Sequence, residues 1–323
     1  MSARPDEFAW IDSLRGLCQG DPRALDLRDD AAVLPARPGY DLVISKDAMV
    51  EGVHVLPGEN PEVIARRLLR TSLSDLAAKG AEPFGYFLLT AWPPETRLED
   101  QARFAAGLEQ DGALYGVALL GGDTVSTPGP LTVSATVLGW VPAGQAILRS
   151  GARVGDRVVV CGHIGDGWLG LQAALGRAPD PDGRLANHYR LPTPLLSLRA
   201  PLRTHAHAAA DVSDGLLADA MHIATASGLG LSLDLDRVPL SVEAAAWCAG
   251  EADPTEARLG LAAGGDDYAL VCAIPSLSES AFIAAVRALG VAAAEVGAFE
   301  AGDGLEVRSG GQIIDTPVIG WRH

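Results

Sequence analysis

Short Gly-, Ser- and Asp-rich turns punctuate this chain, and six of them carry aspartate. They read D-D-A-A-V (29–33), S-K-D (45–47), L-S-D-L (73–76), G-G-D-T (121–124), D-V-S-D-G (211–215) and G-G-D-D-Y (264–268). Most adjoin an apolar, strand-like run or a helix start, which is the rhythm of an α/β fold. An acid placed where a strand ends points into a crevice rather than into bulk water. Several acids converging there repel one another. Hard divalent cations relieve that repulsion, and Mg²⁺ prefers carboxylate and water oxygens. The pattern therefore predicts a chain that holds more than one Mg²⁺, and phosphates through them.

The length of 323 residues is long for one domain and comfortable for two. With 48% hydrophobic but only 5% aromatic residues, the core must be built of Ala, Val, Leu and Ile. A net charge of −16 argues against nucleic acid and anionic membranes, which require a basic face. The same charge repels phosphates unless bound cations reverse the local sign. Cys18, Cys161, Cys248 and Cys272 are scattered without a C-x-x-C pair, which excludes the usual zinc and disulfide patterns. The N-terminus lacks a signal-peptide pattern, and no apolar run reaches the roughly 18 residues that span a bilayer. The expectation is a cytoplasmic protein.

Helices are expected over 6–19, 61–79 and 98–108, and strands over 41–45, 84–90, 117–120 and 131–141. Asn60 and Pro61 suit the cap and first turn of the second helix, with Gly80 just past its end. On it Leu69, Leu73 and Leu76 form an apolar stripe that leaves Asp75 at the edge of the buried face. Residues 141–156 are rich in turn formers and are expected to link two α/β domains, 1–145 and 146–323. Beyond them come a strand (157–162), a helix to about 176, a loop (176–194) and a helix from 211–215 to Ser227. Strands over 229–235 and 268–274 and a helix over 278–289 complete the reading.

Some motifs admit two readings. G-H-I-G-D-G (162–167) is either a phosphate cradle at a helix start or a tight strand–helix turn. His54 is either structural or a substrate group beside the metals. Arg149 is a solvated linker residue or a phosphate contact. Trp321 is core or a stacking platform. His205 and His207 are expected on a strand, facing opposite ways at the surface. P-loop, G-x-S-x-G and zinc-helix motifs are absent.

Together these segments, with L-R-S-G-A-R-V-G-D (148–156), resemble the thiamine-monophosphate kinase family, across nearly the whole chain and in order. Its wider superfamily holds aminoimidazole ribonucleotide synthetase, selenophosphate synthetase and a hydrogenase-maturation protein. The resemblance implies a two-domain α/β fold in which an N-terminal mixed sheet pairs with a second subunit's sheet into a barrel, giving a homodimer. It implies transfer of the ATP γ-phosphoryl to thiamine monophosphate, with several Mg²⁺. By position it implies metal roles for Asp30, Ser45, Lys46, Asp47, Asp75, Asp123, Asp211 and Asp214. Of these, Asp47, Asp75 and Asp123 are the candidate catalytic acids. Tyr115, Gly122, Asp123, Arg149 and Ser213 match nucleotide positions, and His54, Asp266 and Trp321 match acceptor positions. Lys46 replaces a small hydroxyl residue, Asp266 replaces a Glu, and the aromatic tail after Trp321 is missing. Alternatives are another ATP-dependent member of the superfamily or a non-catalytic Mg-nucleotide-binding protein. Cys18 on an apolar helix face and a C-terminal His323 disfavour the selenophosphate and hydrogenase branches.

Overall fold

The computed structural model describes residues 7–320, so Trp321 lies outside the described residues. The chain forms two compact units: Met1–Leu76 with Ala81–Gly144, and Ala77–Gly80 with Gln145–His323. Among the described residues no helix is long and apolar enough to cross a membrane.

In the first unit α1 (Glu7–Ser13) leads through short 3-10 turns into β1 (Tyr40–Val50), α2 (Pro61–Ala78), β2 (Glu82–Trp92), α3 (Leu98–Tyr115), β3 (Ala118–Ser126) and β4 (Thr132–Pro142). The strands form one mixed sheet in the order β1-β4-β2-β3, with β2 and β3 parallel and the other pairs antiparallel. α2 starts as its sequence requires: the Asn60 side chain accepts from the Glu62 amide at 3.1 Å. Its inner face buries Ile64, Leu68, Leu69, Leu73 and Leu76 completely or nearly so. A buried ion pair ties it to α3. Asp111 is fully buried and accepts from Arg70 Nε at 2.5 Å and from Arg66 Nε at 3.1 Å.

Two strands run further than their turn-like sequences suggest. Asp47 and Asp123 were expected at strand ends, yet both lie inside strands. β1 keeps pairing with β4 to Val50, and β3 keeps pairing with β2 to Ser126. Gly122 makes the second extension possible. A Cβ there would stand 1.9 Å from the Leu88 carbonyl oxygen, so only glycine fits the ladder.

The second unit contains β5 (Arg157–Cys161), α4 (Asp166–Ala174), α5 (Arg184–Arg190), α6 (Arg199–His205), β6 (Ala208–Asp211), α7 (Leu216–Ser227), β7 (Gly230–Asp234), α8 (Val242–Gly250), α9 (Pro254–Gly264), β8 (Leu270–Ile274), α10 (Glu279–Ala288), β9 (Ala293–Glu300), β10 (Leu305–Ser309) and β11 (Gln312–Ile314). Its sheet runs β11-β10-β7-β9-β5-β8-β6. Apart from Arg157 and Asp211 at their ends, β5, β6 and β8 are apolar, because both faces are covered. Val158, Val160, Ala208, Ala210, Val271 and Ala273 face Leu216, Leu217, Ile223 and Leu259 of α7 and α9. Val159, Cys161, Ala209, Cys272 and Ile274 face Leu202, Phe282 and Val286 of α6 and α10.

The expected loop over 176–194 contains α5. The Asp180 side chain accepts from the Leu185 and Ala186 amides, and Leu185 and Tyr189 are buried. Tertiary anchors stabilise this helix where its Pro- and Gly-rich flanks hid it. His205 and His207 are not on a strand: His205 ends α6 against the Phe282 ring, and His207 pairs with buried Asp156 at 2.8 Å.

Candidate active site

In the first unit, Ser45 and Asp47 alternate with exposed Lys46 along β1 and turn toward α2. There Ser45 donates its hydroxyl to Asp75 at 2.5 Å. Asp47 is pushed up to about 6, first by burial and then by the charge of Asp75, against a lowering hydrogen bond from Ser72. Two acids and two hydroxyls thus share one half-buried spot that favours binding a cation or a proton. The Lys46 side chain reaches Thr136 at 3.4 Å instead, so a lysine at this position leaves the Asp47–Asp75 spot untouched. Nearby, His54 Nδ1 accepts from the Val50 amide at 3.1 Å, which places the ring proton of the neutral form on Nε2.

A second acidic spot lies on the opposite edge of the same sheet. A cavity of about 460 Å³ is lined by Trp10, Leu14, Asp29, Asp30, Gly122 and Asp123, among others. Pairing runs straight across from Asp47 to Ala135, Leu88 and Gly122. Three strand spacings separate the ends of that row, about 14 Å. Tyr115, the last residue of α3, lies 5.6 Å from the Arg70 guanidinium, which faces its ring. Burial raises the pKa of its hydroxyl.

In the second unit three loops meet at one end of the sheet. Cys161, which ends β5, and Asp211, which ends β6, both pair with Leu270, which begins β8. The loops 162–167, 212–215 and 264–269 therefore converge there. The Ser213 and Asp214 amides both donate to Asp219 at 3.0 Å. Burial pushes Asp219 up to about 6, and Arg149 is among the charges that oppose the rise. Arg149 is exposed and accepts from Ser227 through its carbonyl. The phosphate-cradle reading of 162–167 fails: the Gly165 and Gly167 amides are taken by the buried Asp267 carboxylate at 2.8–2.9 Å.

In the first unit the predicted acids thus lie in two groups, Asp47 with Asp75 and Asp30 with Asp123. Among the described residues no cluster of three or more His, Cys, Asp or Glu has metal-holding geometry. That arrangement fits Mg²⁺, which takes one or two carboxylates and completes its shell with water and phosphate oxygens rather than occupying an all-protein cage. The sequence reading had passed over Ser72, Asp219 and Asp267. Only burial reveals them: Asp219 reads as a helix-start acid, Ser72 as an ordinary mid-helix serine, and Asp267 as a second loop acid beside Asp266.

Residues 28–141 match the family model for the AIR synthase related protein N-terminal domain, and residues 153–310 match its C-terminal domain. The chain is 55% identical over 323 residues to a thiamine-monophosphate kinase of Caulobacter vibrioides, covering 100% of this chain and 92% of the relative. It is 35% identical over 301 residues to the Salmonella typhimurium enzyme, covering 91% and 90%. Among solved structures, the thiamine-monophosphate kinase of Stenotrophomonas maltophilia superposes with a TM-score of 0.83 at 32% identity, covering 97% and 99% of the two chains. AaThiL complexed with AMPPCP and TMP gives 0.76 at 26% identity, covering 97% and 96%. The Escherichia coli hydrogenase maturation protein HypE shares the fold at 21% identity. With this two-unit α/β architecture and these matches along its whole length, the chain belongs to the thiamine-monophosphate kinase family of the AIR synthase-related proteins.

Proposed function

We propose that this protein transfers the γ-phosphoryl of ATP to the phosphate of thiamine monophosphate, giving thiamine diphosphate and ADP, in a Mg²⁺-dependent reaction. The observation that carries this reading is the half-buried Asp47–Asp75 pair, held by Ser45 and Ser72, in a chain that matches these kinases from end to end.

The acceptor is a phosphate monoester whose second pKa is near 6, so its oxygen is already ionised at neutral pH. No general base is required. The barrier is the approach of two polyanions in line, and bound Mg²⁺ supplies charge neutralisation and alignment. In the first unit, Asp30, Ser45, Asp47, Asp75 and Asp123 are the proposed metal ligands, with Lys46 acting through its carbonyl. Gly122 and Tyr115 serve the nucleotide, and His54 serves the acceptor through Nε2. In the second unit, Arg149 and Ser213 serve the nucleotide, Asp211 and Asp214 a metal, and Asp266 the acceptor. Trp321 is proposed for the acceptor from its sequence position alone.

We assign metal binding and dimerisation to the N-terminal domain. The alternate β1 residues Tyr40, Leu42 and Ile44 are 36%, 41% and 57% exposed on an edge strand, an apolar row suited to a second copy's sheet. Cytoplasmic localisation follows from the same reading of its substrates.

A coupled ADP-release assay with Mg·ATP, with and without thiamine monophosphate, tests the function, with thiamine diphosphate identified by chromatography. Product that requires both Mg²⁺ and the monophosphate supports it. ATP binding without product on this acceptor overturns it.

A further inference from the structure

The G-G-D-D-Y loop contains two non-glycine residues in the left-handed region, Asp266 at φ 64° and Tyr268 at φ 51°. That region is uncomfortable for L-residues, and much more so for a bulky tyrosine than for aspartate. Conformations of this kind persist where their surroundings over-determine them, and they concentrate at functional sites.

Here the surroundings are explicit. The Asp266 amide donates to Ser213 O at 2.8 Å, and the Tyr268 amide donates to Val212 O at 2.8 Å. Between them Asp267 points inward, only 3% exposed, and takes the Gly165 and Gly167 amides. The Asp266 carbonyl oxygen presses so close to Gly167 that a Cβ there would stand 2.2 Å away. The loop is thus gripped on one side by 211–215 and on the other by 162–167. The outcome is visible in the side chains. Residues 266 and 268 turn toward one another, and the Tyr268 hydroxyl donates to Asp266 Oδ1 at 3.0 Å.

We infer that Asp267 and Tyr268 are positioning residues for Asp266: Asp267 pins the loop in its left-handed turn, and Tyr268 aims the Asp266 carboxylate. The inference rests on the proposed role of Asp266 in binding thiamine monophosphate. It goes further in assigning the aim of that carboxylate to its two chain neighbours. A hydrogen bond present equally in bound and transition states changes KM and leaves kcat in place.

The test is steady-state kinetics on Tyr268→Phe, Asp266→Asn, the double variant and Asp267→Asn, with Tm recorded for each. Tyr268→Phe is expected to raise KM for thiamine monophosphate roughly tenfold. KM for ATP, kcat and Tm should hold. In the Asp266→Asn background the same change should add nothing, because the two act as one unit. Asp267→Asn should show the same KM split at a temperature below its Tm. A Tyr268→Phe enzyme that is kinetically wild type, beside an Asp266→Asn enzyme with a raised KM, overturns the positioning inference and leaves the role of Asp266 standing. An Asp266→Asn enzyme with unchanged KM for thiamine monophosphate removes that role, and the inference with it. Lowered Tm without a KM split in Tyr268→Phe or Asp267→Asn assigns that residue to stability alone and overturns its part.

Discussion

Ser45 on the edge strand and Asp75 on α2 are joined by a hydroxyl–carboxylate hydrogen bond of 2.5 Å, so the acid that charges the site is aimed by the strand it faces. Asp47, two residues along the same strand, is raised in pKa first by its burial and then by the charge of that acid.

If these acids and Asp123 hold Mg²⁺, Asp47→Asn and Asp123→Asn should each lower kcat by at least ~100-fold while leaving the circular dichroism spectrum unchanged. Near-normal turnover of either variant at saturating Mg²⁺ contradicts the metal assignment.

The raised pKa of Asp47 sets a pH dependence. Its native form holds a proton that the unfolded chain gives up near the ordinary carboxylate value. Without metal, its contribution to stability is therefore full below that value and is lost as pH rises through about 6. Mg²⁺ competes for the same oxygens, so the gain in Tm on adding Mg²⁺ should be larger above pH ~7 than below pH ~5. Thermal melts with and without Mg²⁺ across that range read the effect directly. An equal gain throughout speaks against Asp47 as a ligand.

The apolar row on β1 predicts the oligomer. Wild-type protein should elute as a dimer by light scattering, and Ile44→Asp, which places a charge in the middle of the row, should shift it toward monomer. An unshifted dimer moves the interface elsewhere.

Gly122→Ala should destabilise the first unit by about 1–3 kcal/mol, because the added carbon meets the Leu88 carbonyl. The midpoint of urea unfolding measures it. A neutral result would show that β3 can separate from β2 at little cost.

Asp111→Ala leaves the Arg66 and Arg70 guanidinium groups facing one another without their shared anion. The expected loss is about 3–5 kcal/mol, read from the same urea midpoints. A loss below that of an ordinary surface substitution would mean that water reaches the pair.

Much of this was legible in the residues. The first helix pattern after β1, its Asn60 cap and the apolar strands on both sides of the central sheet follow from periodicity and turn chemistry. The illegible parts have physical causes. Gly-Gly-Asp-Thr reads as a turn, yet it continues a strand, because the glycine permits close backbone approach that local propensity cannot foresee. α5 has few buried residues and is held by Asp180 from outside its own span. The grouping of acids depends on which strands are neighbours: Asp47 and Asp123 are alike in sequence context but sit on opposite edges of one sheet. Asp267, adjacent to a predicted acceptor residue, looks like a second copy of Asp266 and turns out to face the opposite way.

All four cysteines are free, and each is at most 2% exposed: Cys18 in the first unit, and Cys161, Cys248 and Cys272 in the second. An alkylating reagent can therefore reach a thiol only when its surroundings open. Each unit carries a built-in clock for its own breathing. The labelling rate of Cys18 against that of Cys161 and Cys272, followed by mass spectrometry in the native buffer, would time the opening of one unit separately from the other without any engineered probe.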